Sequence, residues 1–355
     1  MQIKPKVISI LVLLFFGLEP LCKASPTICT PSPTISPEPA CNAHVHGNCG
    51  PPPSSESVPS PVPVAIPTTF QPPGKDGLLK WRIYQPNDGK GKWPVVLIIH
   101  GGGFKAGSYF GEYIETCAQD MAAAGYYALI VNYRLAPCGY IPGQEDHSDP
   151  ASGRPPEQTN DIKAIVNAAR ADSHCYNNQV VAIGGSGGGS HAVWVALDKT
   201  VSAVWPVWDQ SHRLQAAVGL SGPYDYSDRT PESYMDLTQF RNDVENYTNT
   251  CEREDPNGRI DQKRFSPVTK VSSDAPPIYA INSEEDPQPW HQIVDLQCAL
   301  ENAGVTNYTI ATIPDSGRHS FAYWRTPICD TVPCSDATVK DRVIAFLDSV
   351  VTKLP

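Results

Sequence analysis

The chain has 355 residues, of which 41% are hydrophobic, and a formal charge of −10 from 27 Lys and Arg against 37 Asp and Glu. That length can bury one large core with appendages. The acidic balance excludes the basic footprint of a nucleic-acid-binding protein.

The N-terminus reads first as a targeting segment. Lys4 and Lys6 precede an apolar run, residues 7–18, that is too short to span a bilayer. Cys22 and Ala24 then offer the small residues that a signal peptidase reads. Residues 1–24 are therefore expected to be a signal peptide, leaving a secreted chain with no membrane span. Glu19 and Pro20 argue against lipoprotein processing at Cys22. Without Cys22 the eleven cysteines become ten, an even number suited to an oxidising compartment. Cys329 and Cys334 can close a small loop, whereas the pairing of Cys29, Cys41, Cys49, Cys117, Cys138, Cys175, Cys251 and Cys298 stays open. Asn246 and Asn307 stand in Asn-x-Thr acceptors for glycosylation.

Residues 25–73 are dominated by Pro, Ser and Thr. Such a segment lacks the apolar surface to fold and is expected to be an extended tail or linker. Within it "CNAHVHGNC" groups Cys41, His44, His46 and Cys49. Four soft ligands of this kind can hold zinc. A Cys41–Cys49 disulfide with two solvated histidines is the expectation in a secreted chain, and no metal is expected.

From Gly74 to the end, strand-like and helix-like segments alternate. "LKWRIY" and "PVVLIIH" read as strands, residues 109–124 as a helix, "YYALIVNY" as a strand and "PPEQTNDIKAIVNAARA" as a helix opened by proline. "QVVAIGG", "LQAAVGLSG" and "PPIYAINS" follow as strands, then a helix over 290–303, the strand "NYTIATIP" and a last helix over 336–351. Alternation of this kind builds a mostly parallel sheet covered on both faces, an α/β domain over 74–355. Its site belongs at the carboxyl ends of strands. Residues 223–265 interrupt the alternation and are expected to form a small lid.

In "AIGGSGGGSHAVW" five glycines surround Ser186 and Ser190. A phosphate-binding loop would need a lysine followed by Ser or Thr after the glycines, and there is none. Gly184, Ser186 and Gly188 instead form G-x-S-x-G between a strand and a helix, the setting of a nucleophile elbow. Ser190 fits that frame less well, because Ala192 replaces the second glycine. Ser186 is thus the expected nucleophile. "HGGGF", residues 100–104, follows a strand, so the N–H groups of Gly102 and Gly103 can face a developing negative charge, with Gly187 as third donor. His100 suits a structural role in that loop.

Taken together, "HGGGF", "NYRLAP", G-x-S-x-G, "LSGPYD" and "FSPVTKVSSDAPPIYAINSEEDP", in this order, resemble the hormone-sensitive-lipase and feruloyl/acetyl-esterase side of the α/β-hydrolase superfamily. The resemblance covers roughly residues 75–355. It implies the α/β-hydrolase fold and an acid and base at Asp286 in "SEEDP" and His319 in "DSGRHSF". Glu284 and Glu285 adjoin Asp286 and are rivals for its place. His174, His212 and His291 lie in linking or helical segments. Arg134 and Asp161 read as a structural pair. One departure is Gly187, where relatives usually carry alanine, with Ser190 in place of an Asn or His.

The function implied is a secreted serine carboxylesterase acting without a cofactor on an ester substrate, polymeric acetyl or feruloyl polysaccharide esters included. Phe104, Tyr224 and Tyr226 are expected to touch substrate, with Tyr234 and Phe240 as further walls and Trp205 and Trp208 as packing or stacking residues. Two other classes remain open. A prolyl-oligopeptidase-type peptidase shares the fold, but its propeller domain is not in this chain; a non-catalytic binding relative would normally have lost a triad member.

Overall fold

Strand β3, Trp93–Ile99, is buried along its whole length. Its side chains alternate between two cores: Val95, Leu97 and Ile99 enter one, and Val96 and Ile98 the other. A continuous run of apolar residues is what a strand needs when both faces of its sheet are covered. In this computed structural model the described residues are 67–70, 79–137, 153–199, 213–251, 257–328 and 337–355. All of them lie in the unit Pro39–Pro355. The expected signal peptide 1–24, the Cys41–Cys49 cluster, most of the expected 25–73 tail, Cys138, Trp205, Trp208, His212, Cys329 and Cys334 fall outside the described residues.

In chain order the elements are β1 (Pro67–Phe70), β2 (Leu79–Tyr84), β3, α1 (Glu112–Ala123), β4 (Tyr127–Val131), α2 (Glu157–Ala171), β5 (Cys175–Gly185) and α3 (Gly187–Leu197). Then come β6 (Ala217–Leu220), α4 (Thr238–Thr248), α5 (Gly258–Arg264), β7 (Ile278–Ser283), α6 (His291–Asn302), β8 (Tyr308–Ile313) and α7 (Val339–Val350). The strands form one sheet in the order β1-β2-β4-β3-β5-β6-β7-β8. β1 and β2 pair antiparallel, and every pairing from β4 to β8 is parallel. One face is packed by α2, α3 and α6, and the other by α1 and α7.

Strand order reverses between β3 and β5, which pair in register from Val95↔Val180 to Ile99↔Gly184. Neighbouring strands whose connections leave in opposite directions open a crevice at their carboxyl ends. The loop 100–104 and the turn at Ser186 both lie there.

Three details differ from the sequence reading. β1 falls inside the segment expected to be tail; it forms because β2 has an open edge for Pro67–Phe70 to pair with. The first helix begins at Glu112, not 109, because Gly111 sits at φ 147 and the Tyr109 N–H is taken by Asn132 Oδ1 at 2.7 Å. Asn246 is only 6% exposed within α4 and so is no acceptor for glycan in the folded chain. Cys117 and Cys175 are free thiols buried in the core, and burial pushes both thiols up in pKa.

Candidate active site

The turn from β5 into α3 is as tight as its glycines suggest. A Cβ on Gly184 would strike the carbonyl of Gly188, and one on Gly188 would strike that of Ile99. Ser186 holds the apex at φ 55 and ψ −127, a conformation that costs a non-glycine residue on the order of 1–3 kcal/mol. The hydrogen bond from its N–H to Leu220 O at 2.7 Å fixes it there. Gly101 packs directly on this serine, for a Cβ there would lie 2.7 Å from Ser186 Cβ. Ser190 is one turn into α3, fully buried, with its Oγ 2.5 Å from Tyr226 Oη.

The loop after β3 turns through Gly102 at φ 118 and Gly103 at φ 56, closed by Ala106 N–H on Gly102 O at 2.9 Å. Among the described residues nothing accepts the N–H groups of Gly102, Gly103 or Gly187. The loop is braced from behind. Phe104 O accepts from Ala136 N at 2.9 Å and from Gln158 Nε2 at 2.6 Å. Gln158 in turn accepts from His191 Nε2 at 2.6 Å. Arg134 clamps Asp161 through Nε at 2.9 Å and Nη2 at 2.6 Å, which holds "NYRLAP" on α2. His100 stacks on Tyr133 with centroids 4.4 Å apart, and its Nδ1 meets Gly101 O at 2.8 Å. Burial holds His100 down to about 4 and His191 down to about 3, so both stay neutral at pH 7.

The loops after β7 and β8 bring Asp286 and His319 together, with His319 Nδ1 donating to Asp286 Oδ1 at 2.6 Å. The carboxylate is fully buried. Gln288 N–H donates to the same oxygen at 2.8 Å, and Ser221 Oγ to Oδ2 at 2.6 Å. Ser221 Oγ also accepts from Ser320 N at 2.9 Å and lies 2.9 Å from Tyr323 Oη. Ser221 and Tyr323 escaped the sequence reading; the one signal was a serine in "LSGPYD" just past a strand. Glu284 and Glu285 point to solvent, and Glu284 accepts from Asp315 N at 3.0 Å. His291 pairs with Glu232 and His174 with Asp172, both at 2.7 Å, away from Asp286.

An open cavity of about 260 Å³ is lined by His100, Gly101, Gly107, Phe110, Tyr113 and His319, among others. The expected substrate contacts are not on it. Phe104, Tyr224 and Tyr226 are each 1% exposed. Phe104 stacks on Tyr247 with centroids 4.2 Å apart, Tyr226 bonds Ser190, and the Tyr224 hydroxyl packs against Gly219 and Gly222. These rings are filled in from every side, so they are core. Phe240 is core as well, whereas Tyr234 is 38% exposed and takes the Trp290 N–H at 3.2 Å. In the expected lid, α4 sets the Asp243 carboxylate against Gly103 and pairs it with Lys105 at 2.8 Å. Among the described residues no trio of His, Cys, Asp or Glu is placed to hold a metal, and no helix is long and apolar enough to cross a membrane.

The BD-FAE family model matches residues 82–300. Esterase LipQ of Mycobacterium tuberculosis is 25% identical over 283 residues, which is 78% of this chain; the match spans 59% of that esterase's length. Among solved structures, a truncated carbohydrate esterase from gut microbiota superposes with a TM-score of 0.55 at 20% identity, over 73% of this chain and 91% of that one. An esterase of Pyrobaculum calidifontis superposes with a TM-score of 0.57 at 18% identity, over 82% of this chain and 88% of its own. At these identities the structural likeness bears on the fold.

Proposed function

The chain belongs to the BD-FAE family and has the α/β-hydrolase fold, and on that premise we propose that it is a serine carboxylic ester hydrolase. The observation that carries this is the buried Asp286 bonded to His319, whose neighbour Ser320 packs on Gly185 next to Ser186 on its strained turn. In this reading Ser186 Oγ attacks the ester carbonyl while His319 Nε2 takes its proton. Asp286 holds the proton on Nδ1, which leaves Nε2 as the basic nitrogen. Charge developing on the carbonyl oxygen is met by the N–H groups of Gly102, Gly103 and Gly187. His319 then protonates the leaving alkoxide, and water, activated by the same imidazole, cleaves the acyl-enzyme.

The finer reading is a secreted enzyme acting on acetyl or feruloyl esters of polysaccharides. It is supported by the signal-like residues 1–24 and the Pro-rich segment behind them, and by the carbohydrate esterase among the structural neighbours. Disulfide pairing among the remaining cysteines belongs to the same proposal. The test assays the purified chain and Ser186→Ala on p-nitrophenyl esters, acetylated xylan and methyl ferulate. Hydrolysis by the parent and none by the variant is expected; a parent inert on every ester, or an active variant, overturns the reading. For secretion, expression in a secreting host should yield a product that begins at Ser25.

A further inference from the structure

Five large apolar side chains are well exposed among the described residues: Phe110, Tyr113, Leu135, Tyr234 and Ile260. Scattered exposure of this kind is ordinary. Two of the five, however, stand on the rim of one cavity. Phe110 is 59% and Tyr113 56% exposed, and both line the cavity that also holds His319 and Gly101. Gly101 touches Ser186, so the cavity begins beside the serine.

The Phe110 ring is held, not loose. The Arg82 guanidinium lies 5.0 Å from its centroid and is itself fixed by Glu115 at 2.6 Å. Tyr109 also packs against it, with centroids 4.2 Å apart and planes tilted by 37°. Tyr113 follows on the first turn of α1, and Phe110 stands two residues ahead of the helix start at Glu112. A ring fixed in place yet left bare pays little ordering cost when a second ring covers it.

His319 decides which half of the substrate this is. The imidazole must hand its proton to the departing oxygen, so the alcohol half of the ester has to lie within its reach. The cavity that His319 shares with Phe110 and Tyr113 is therefore on the alcohol side. We infer that Phe110 and Tyr113 form a stacking platform for a ring-bearing alcohol, a sugar or an aryl group, and so set leaving-group specificity. This rests on the ester-hydrolase reading above.

The experiment compares the parent with Phe110→Ala, Tyr113→Ala and the double variant at constant acyl group. The substrates are ethyl acetate, phenyl acetate and a mono-acetylated methyl pyranoside, with phenyl butyrate as the acyl control. The ratio of kcat/KM for a ring acetate to that for ethyl acetate should fall about tenfold or more in the double variant, the scale of losing stacking together with its buried area. A fall in the phenyl arm alone identifies an aryl platform, and a fall in the pyranoside arm alone a sugar platform. Ratios that stay within about twofold, or a change that follows butyrate against acetate, overturn the proposal. A parent inert on every ester, p-nitrophenyl esters and methyl ferulate included, removes the esterase reading and this inference with it, whereas a parent active on other esters but on none of these acetates, or active with unaltered ratios, removes this inference alone. Thermal unfolding of each variant checks that the fold is intact.

Discussion

Ser221 Oγ donates to Oδ2 of Asp286 at 2.6 Å and itself accepts the Ser320 N–H at 2.9 Å. One side chain thus ties the carboxylate to the loop that carries His319, from a backbone at φ 52. Ser221→Ala is expected to lower kcat about tenfold, the worth of one hydrogen bond to a charged group, with KM changed little. Because Ser221 acts through Asp286 on the imidazole, the acid limb of the pH–kcat profile should move as well. An unaltered limb would mean that the serine is only scaffold.

Ser186→Ala should abolish hydrolysis, a loss of roughly 10⁶ in turnover for a missing nucleophile. Ser190→Ala should keep most activity and lose stability instead, about 1–3 kcal/mol, since it strands the buried Tyr226 hydroxyl. Turnover and denaturant midpoints measured on both variants separate the two roles. An inactive but stable Ser190→Ala would move the nucleophile.

For the acid, Asp286→Asn should fold and lose about 10⁴ in turnover, because an amide favours the wrong imidazole tautomer. Glu285→Gln should cost far less, as its carboxylate is exposed and acts only through screened charge. Circular dichroism establishes folding, and the pair is assayed together. A crippled Glu285→Gln would reverse the assignment.

Stability should fall steeply with acidity. His100 and His191 are held by burial at about 4 and about 3, well below the value near 6.5 that they recover on unfolding. Between those limits the unfolded chain binds protons that the fold refuses. Each histidine therefore removes about 1.4 kcal/mol per pH unit below pH 6.5, until its folded pKa is reached. Urea midpoints at pH 7, 6 and 5 read this slope, and His191→Asn should flatten it by one histidine's share. An unflattened slope would show that His191 does not carry it.

Residues 67–70 add a strand to the sheet edge, pairing Pro67↔Arg82 through Phe70↔Leu79. A chain starting at residue 74 should keep its turnover on a small soluble ester, since three strands separate this edge from β5. Its melting temperature should drop by a few degrees relative to a chain starting at residue 66, about what losing 1–2 kcal/mol does to a domain of this size. Equal melting temperatures would make β1 dispensable.

Sequence reasoning succeeded where pattern is local. β3 and β5 announce themselves as apolar runs, and Ser186 as the centre of glycines that only a strand-to-helix turn requires. It failed where the answer depends on distant partners. "PTTF" shows no strand pattern, because β1 exists only by pairing with β2. Phe104, Tyr224 and Tyr226 stand in or beside "HGGGF" and "LSGPYD", but loops have no periodicity to say whether a ring faces cleft or core. Phe110 and Tyr113 were hidden inside a helix drawn three residues too long. Ser221 finds its partner 65 residues away.

The Phe104 ring lies where a side chain on Gly187 would begin: a Cβ there would sit 3.2 Å from Cδ1 and Cε1 of the phenyl. Positions 104 and 187 are therefore coupled. An alanine at 187 needs the phenyl to give by a few tenths of an ångström, and a smaller residue at 104 leaves a gap against Tyr247. Any attempt to recast the turn after the serine should test the two positions together as well as singly.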